Sequence, residues 1–281
     1  MMFLRFLLAK FQLDYVLNFR EPTRRNKALK TLPRDIHTAY DEVIHRIENS
    51  SASDDKSLAL RILGWLYRAQ RTLRMDELVD ALAIGSYEDY SDEEEDDDTD
   101  DTQGFIERNR LQPGQLVECC QSLIQYEQSS GLVRFTHFTV QEFITQKLQQ
   151  QLPPLRDLAI TCISYLSMFD SICSDKNIIE KRIQQYPFSC YAAEFWGVHT
   201  KETEDEDDIQ QRTMTFLLSK NKRDSMLELD AYTKSRPTVG DTTFDPNQTL
   251  LHVLAINGLS SICLLALQKS QDVNNTYTPC Y

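Results

Sequence analysis

Five histidines (37, 45, 137, 199 and 252) and seven cysteines (119, 120, 162, 173, 190, 263 and 280) are the residues best able to do chemistry in this chain. An imidazole titrating near neutrality can serve as acid, base or metal ligand. A thiolate can attack a carbonyl or bind a soft metal. Neither set is spaced for such work. No H-E-x-x-H and no C-x-x-C occurs, so no zinc site is prefigured. No G-x-S-x-G sets a serine on a strand-to-helix elbow. Neither G-x-x-x-x-G-K-[ST] nor G-x-G-x-x-G is present to cradle a phosphate. His37 and His45 stand eight residues apart on a polar helix face, and His199 follows an aromatic helix where ring packing or capping is the usual role. Adjacent Cys119 and Cys120 suit neither a local disulfide nor a shared tetrahedral metal. An odd cysteine count without regular spacing points to reduced, mostly buried thiols in a cytoplasmic protein. The chain is expected to be no enzyme and to hold no cofactor or metal of its own.

The acids are concentrated rather than spread. Tyr87 to Asp101 contains 11 acidic residues without a Lys or Arg, and Glu202 to Asp208 contains 6 more. Setting those two tracts aside turns the formal charge of -13 into +4. Like charges in a run repel and stay solvated, so both tracts read as loops, too crowded for the single tuned carboxylate that acid–base catalysis needs. A near-neutral remainder disfavours nucleic acid as a partner. Arg5, Lys10 and Asp14 interrupt the apolar N-terminus, and no stretch reaches the ~18 apolar residues of a membrane span. With 8 Gly in 281 residues, a mainly helical chain fits better than a glycine-rich sandwich.

The elements that must position these side chains follow from apolar spacing. Phe3, Phe6, Leu7, Phe11, Leu13 and Leu17 recur at helical intervals. After Leu32-Pro33 comes a second helix, with Ile36, Tyr40, Val43, Ile44 and Ile47 on one face. Leu58, Ile62, Leu63 and Leu66 form a third stripe, and Met75, Leu78, Val79 and Leu82 a fourth. Pro113 opens a helix expected to run to Gln128. Gly131 turns the chain into a strand-like Leu132–Phe135, and Thr139-x-x-Glu142 reads as a capping box. Leu155 to Leu166 and Tyr186 to His199 read as further helices, and 230–247 as loop.

Near the C-terminus, Thr249-Leu250-Leu251-His252-Val253-Leu254-Ala255 is followed by Gly258, by Leu264-Leu265 and by Asp272-Val273-Asn274. This resembles one ankyrin repeat, whose pattern is T-P-L-H-x-A, an inter-helix glycine, a leucine stripe and a D-V-N turn. The stations concerned are Thr249, Leu251, His252, Ala255, Gly258, Leu265, Asp272 and Asn274. Leu250 stands where the family has Pro, and Leu254 where it has Ala. A single repeat cannot bury its own face.

A second resemblance covers residues 1 to about 200. Leu32-Pro33, Ala59–Leu82, Val133–Phe143 and Tyr191–His199 resemble the region after the NACHT module in fungal NOD-like ankyrin-repeat proteins. That region includes a winged-helix domain also described in a GPI inositol-deacylase. The resemblance implies a mainly α fold: a winged-helix domain with minor β, a helical extension, and the start of an ankyrin array. It implies the tail of an upstream NACHT module at 1–50 and a winged helix at 55–150 with an acidic, disordered insertion at 86–110. A helical extension at 151–235 and one ankyrin-like repeat at 248–281 complete the organisation. In some NOD-like receptors a winged-helix histidine reaches the ADP phosphate. That role is carried to His137 only if an upstream nucleotide module is present; a cap on the following helix is the alternative.

The expected function is a non-enzymatic relay between a nucleotide-binding module and a partner-binding repeat array. Its partners are proteins, met through ankyrin and helical surfaces, with no nucleic acid and no membrane. The alternative is a nucleic-acid-binding winged helix, which requires a basic recognition helix that residues 113–128 do not supply. With no phosphate cradle, ATP and ADP are expected to bind the chain negligibly; micromolar affinity in a calorimetric titration would overturn that expectation.

Overall fold

The computed structural model describes residues 2–50, 53–91, 102–173, 175–235, 245 and 248–275. Its helices are α1 (Met2–Leu17), α2 (Pro22–Ala28), α3 (Ile36–Glu48), α4 (Ser53–Arg68), α5 (Met75–Ser91), α6 (Thr102–Asn109) and α7 (Pro113–Cys119). They continue with α8 (Phe138–Phe143), α9 (Leu155–Ser167), α10 (Lys176–Gln185), α11 (Phe188–Lys201), α12 (Asp207–Leu218), α13 (Lys220–Ser235), α14 (Leu250–Ile256) and α15 (Ser260–Asn275). Three short strands, β1 (Leu73–Arg74), β2 (Ile124–Glu127) and β3 (Leu132–Phe135), form one antiparallel sheet in the order β1-β3-β2. The chain divides into two compact units: residues 1–75 with 112–153, and residues 76–111 with 154–281.

In the first unit, α4 packs against α3, α7 and β3. Its inward residues Ala59, Ile62 and Leu63 are fully buried, as the i, i+3, i+4 spacing requires. Strand β3 pairs with both neighbours, Val133 facing Leu73 on one side and Tyr126 on the other. A cluster of Phe11, Tyr40 and Phe143, with ring centroids 5.3 and 5.2 Å apart, joins α1, α3 and α8. The helix expected over 113–128 ends at Cys119 instead. Gln121 and Ser122 take positive φ of 43° and 73°, which breaks the helix, and Ile124-Gln-Tyr-Glu127 becomes β2. Its apolar residues alternate once Leu123 is assigned to the turn, so helical and strand periods overlap there.

In the second unit, α11 packs against α9, α10 and α13, and α12 against α9, α13 and α15. Tyr165, Phe188, Tyr191, Trp196 and Phe216 fill its centre and are all nearly or fully buried. Three expectations about its loops are corrected. The insertion drawn at 86–110 is helical at both ends: α5 extends to Ser91, and α6 occupies 102–109 with Ile106 fully buried. The acidic residues 92–101 between them lie outside the described residues. The second acidic tract is not simply solvated. Glu204 is 7% exposed and accepts the Ser261 backbone N–H at 3.2 Å, while Asp205 accepts the Ser261 hydroxyl at 2.7 Å. Glu204 also pairs with Lys201. The Glu204 carboxylate thus meets a backbone N–H at the start of α15, the favourable end of the helix dipole. The expected loop at 230–247 is helix as far as Ser235.

The helix pair α14–α15 turns at Gly258, with φ of +67°, a conformation that disfavours a side chain. Residues 272–274 continue α15 as helix rather than forming a turn. Where α14 ends, Asn257 approaches α11 so closely that a Cβ on Gly197 would lie 2.0 Å from its Oδ1. Gly197→Ala is therefore expected to destabilise the protein by about 1–3 kcal/mol. Urea denaturation measures this, and in an Asn257→Gly background the penalty should shrink by more than half.

Candidate anion-facing groove at the start of α8

His137 lies at the corner where β3 passes into α8. It is the N-cap of α8, with extended backbone, and its Nδ1 accepts the Thr139 backbone N–H at 3.2 Å. Such a cap satisfies one of the N–H groups that a helix start leaves unpaired. The Thr139–Glu142 capping box expected from sequence is therefore corrected, because the N-cap lies two residues earlier, at His137. Thr139 is buried instead, its hydroxyl 2.8 Å from His137 Nδ1 and 2.7 Å from the Tyr40 hydroxyl. Among the described residues, His137 Nε2 makes no hydrogen bond.

The imidazole lines a cleft of about 320 Å³ bounded by the end of α4, β1 and β3. Arg71, Thr72, Arg134 and Gln141 are its other polar walls, with Leu66 and Phe138 among the apolar ones. Phe138 is 63% exposed. Arg134 is held only loosely, 3.9 Å from Glu127 with both side chains about half exposed. The lining has cations and N–H donors but no serine, cysteine or carboxylate. Its cations and N–H donors can hold an oxyanion by hydrogen bonds.

The other histidines are placed elsewhere. His37 and His45 are exposed on α3, with the His37 ring 6.4 Å from Phe143. His199 is buried in α11, with Nε2 3.0 Å from the Tyr191 hydroxyl, and burial pushes its pKa down to about 4. His252 and Thr249 form a reciprocal box at the start of α14: Thr249 N–H reaches His252 Nδ1 at 3.1 Å, and His252 N–H reaches Thr249 Oγ1 at 3.4 Å. Of the remaining ankyrin-type stations, Leu251 and Ala255 are exposed, Leu265 is half-buried and Gly258 is the turn. Asp272 and Asn274 lie on the last turns of α15. Among the described residues no group of His, Cys, Asp and Glu is arranged to hold a metal. The six described cysteines are unpaired with one another by disulfide, and burial pushes Cys173 up to about 11.

Sequence reading missed a buried polar cluster in the second unit. Asp80, 1% exposed, accepts two bonds from Arg110, at 2.7 and 3.1 Å, and one from the Tyr165 hydroxyl. Arg110 also donates to the Gln185 carbonyl at 2.6 Å. Burial pushes the Asp80 carboxyl up, and the bonds from Arg110 and Tyr165 oppose it. An aspartate inside the apolar Leu78–Leu82 stretch was the available signal. This cluster ties α5 to α9 and to the chain after α6.

Comparison with known families places one segment. Residues 47–152 match the family model described as GPI inositol-deacylase, winged helix domain. That segment is a winged-helix domain of this type, and it covers rather more than a third of the chain. No curated protein and no solved structure matches the chain. No helix among the described residues is long and apolar enough to cross a membrane.

The lowered pKa of His199 has a consequence for stability. The unfolded chain takes up a proton below about 6.5, and the folded protein only below about 4. Folding stability is therefore whole above pH 6.5 and falls as pH drops towards 4, by roughly 3 kcal/mol in all. Urea denaturation at stepped pH should show this slope, and a His199→Phe variant should flatten it.

Proposed function

We propose that this chain is a non-enzymatic coupling segment of a cytoplasmic NOD-like signalling protein. Its winged helix would sense the phosphate of a nucleotide held by an upstream NACHT-type module. It would pass that state to a partner-binding ankyrin stack rooted in α14–α15. The observation that carries this reading is His137: inside a segment that matches a winged-helix family, an imidazole with no Nε2 partner lines a cleft together with two arginines. The reciprocal Thr249–His252 box and the Gly258 turn support the ankyrin part, since they are the contacts that the repeat's starting motif would make. Coupling would be a change of packing between domains, in which bound nucleotide favours one arrangement over another. The chain itself brings no cofactor, and its partners would be proteins.

The nucleic-acid reading gains nothing from the fold. Helix α7, which follows the expected recognition position, spells Pro-Gly-Gln-Leu-Val-Glu-Cys and contains no cation.

Immunoblotting of source cells against residues 150–230 should show a polypeptide far heavier than 32.7 kDa. Purified from those cells, it should carry ADP or ATP, and His137→Ala should speed nucleotide release by about tenfold. A 32.7 kDa band free of nucleotide would sink the proposal.

A further inference from the structure

The hydrogen bonds behind His137 have a direction. A backbone N–H can only donate, so the bond from Thr139 N–H to Nδ1 requires that Nδ1 carry no proton. The Thr139 hydroxyl lies 2.8 Å from the same Nδ1. Turned the other way it would set an oxygen lone pair against a nitrogen lone pair at that distance, so it donates to Nδ1. Having given its proton to the imidazole, Thr139 Oγ1 must accept from Tyr40, whose hydroxyl is 2.7 Å away. Tyr40 is fully buried, and that burial pushes its phenol up, so it keeps the proton it donates. The chain therefore runs one way, from Tyr40 on α3 through Thr139 to His137 at the groove.

We infer that Tyr40 and Thr139 are positioning residues that hold His137 in the Nε2–H tautomer, so that a hydrogen-bond donor faces the groove. A neutral imidazole in the opposite tautomer would offer Nε2 as an acceptor and would turn a lone pair towards any oxyanion placed there. The inference deepens the reading of His137 as a phosphate contact: its ligand must present an acceptor, as phosphate oxygens do and ammonium groups do not. It also separates two roles in one short motif, because the residue that touches the ligand is not the residue that sets its proton.

The test is a long-range nitrogen–proton NMR spectrum of the histidine rings in the full 281-residue chain, at a pH where the imidazoles are neutral. His137 is assigned by its absence in His137→Gln. In the unsubstituted protein, Nδ1 of His137 should resonate as an unprotonated nitrogen and Nε2 as a protonated one. Thr139→Val removes the stronger donor and should shift the tautomer ratio towards Nδ1–H by about fivefold. Thr139→Ser should restore the original ratio, and Tyr40→Phe should shift it in the same sense by less. A protonated Nδ1 or an even mixture in the unsubstituted protein would overturn the inference, as would a ratio that ignores both Thr139→Val and Tyr40→Phe. The spectrum requires no nucleotide, so it can fail while the functional reading survives, or succeed while that reading falls.

Discussion

The two-sided pairing of β3 is the contact on which the first unit depends. Four residues, Leu132–Phe135, carry hydrogen bonds to a two-residue strand on one edge and a four-residue strand on the other. So small a sheet has little stability of its own. It persists because Val133 is fully buried beneath α4, which packs against β3, and because α8 packs against β3 while α7 packs against β2 and α4. Everything that positions His137 follows. The strand delivers the chain to the corner, the corner leaves a helix start without partners, and the imidazole fills that need. The side chain facing the groove is thus also a structural part of the turn that presents it.

The fold was readable in the sequence wherever burial acts on one face of a long helix. The stripes of α3 and α4 had helical periodicity, and Tyr40, Val43, Ile47, Ile62 and Leu63 from them are buried, whereas Leu58 and Leu66 are half-buried and Ala59 and Trp65 share the inward face of α4 instead. Reading failed where the chain is short or polar. Ile124–Glu127 obeyed two periods at once, and only the left-handed turn at Gln121–Ser122 decided between them. That turn used neither glycine nor asparagine, so it gave no composition signal. The start of α8 was misplaced because Thr139 and Glu142 match a capping pattern that His137, by capping first, made redundant.

Long-range polar contacts were the least legible. Tyr40 and Thr139 are 99 positions apart, and Asp80 meets Tyr165 across 85. Nothing local marks one as the partner of the other. Glu204 sat within an acidic run whose composition predicted solvation, yet one carboxylate of that run is drawn in by the open end of α15. The motif at Thr249–His252 was legible for the opposite reason. Both partners lie within one helical turn, so sequence spacing and spatial distance are nearly the same thing.

At Gly197 the distance between α11 and the end of α14 is set by a hydrogen atom in place of a methyl group. The α14–α15 hairpin cannot slide towards α11, and the carboxylates on Ser261 oppose its sliding away. Its outward face, with Leu251, Ile256 and Leu264 uncovered, is consequently held at one fixed angle. Where that apolar face is presented therefore traces back to one missing carbon on α11.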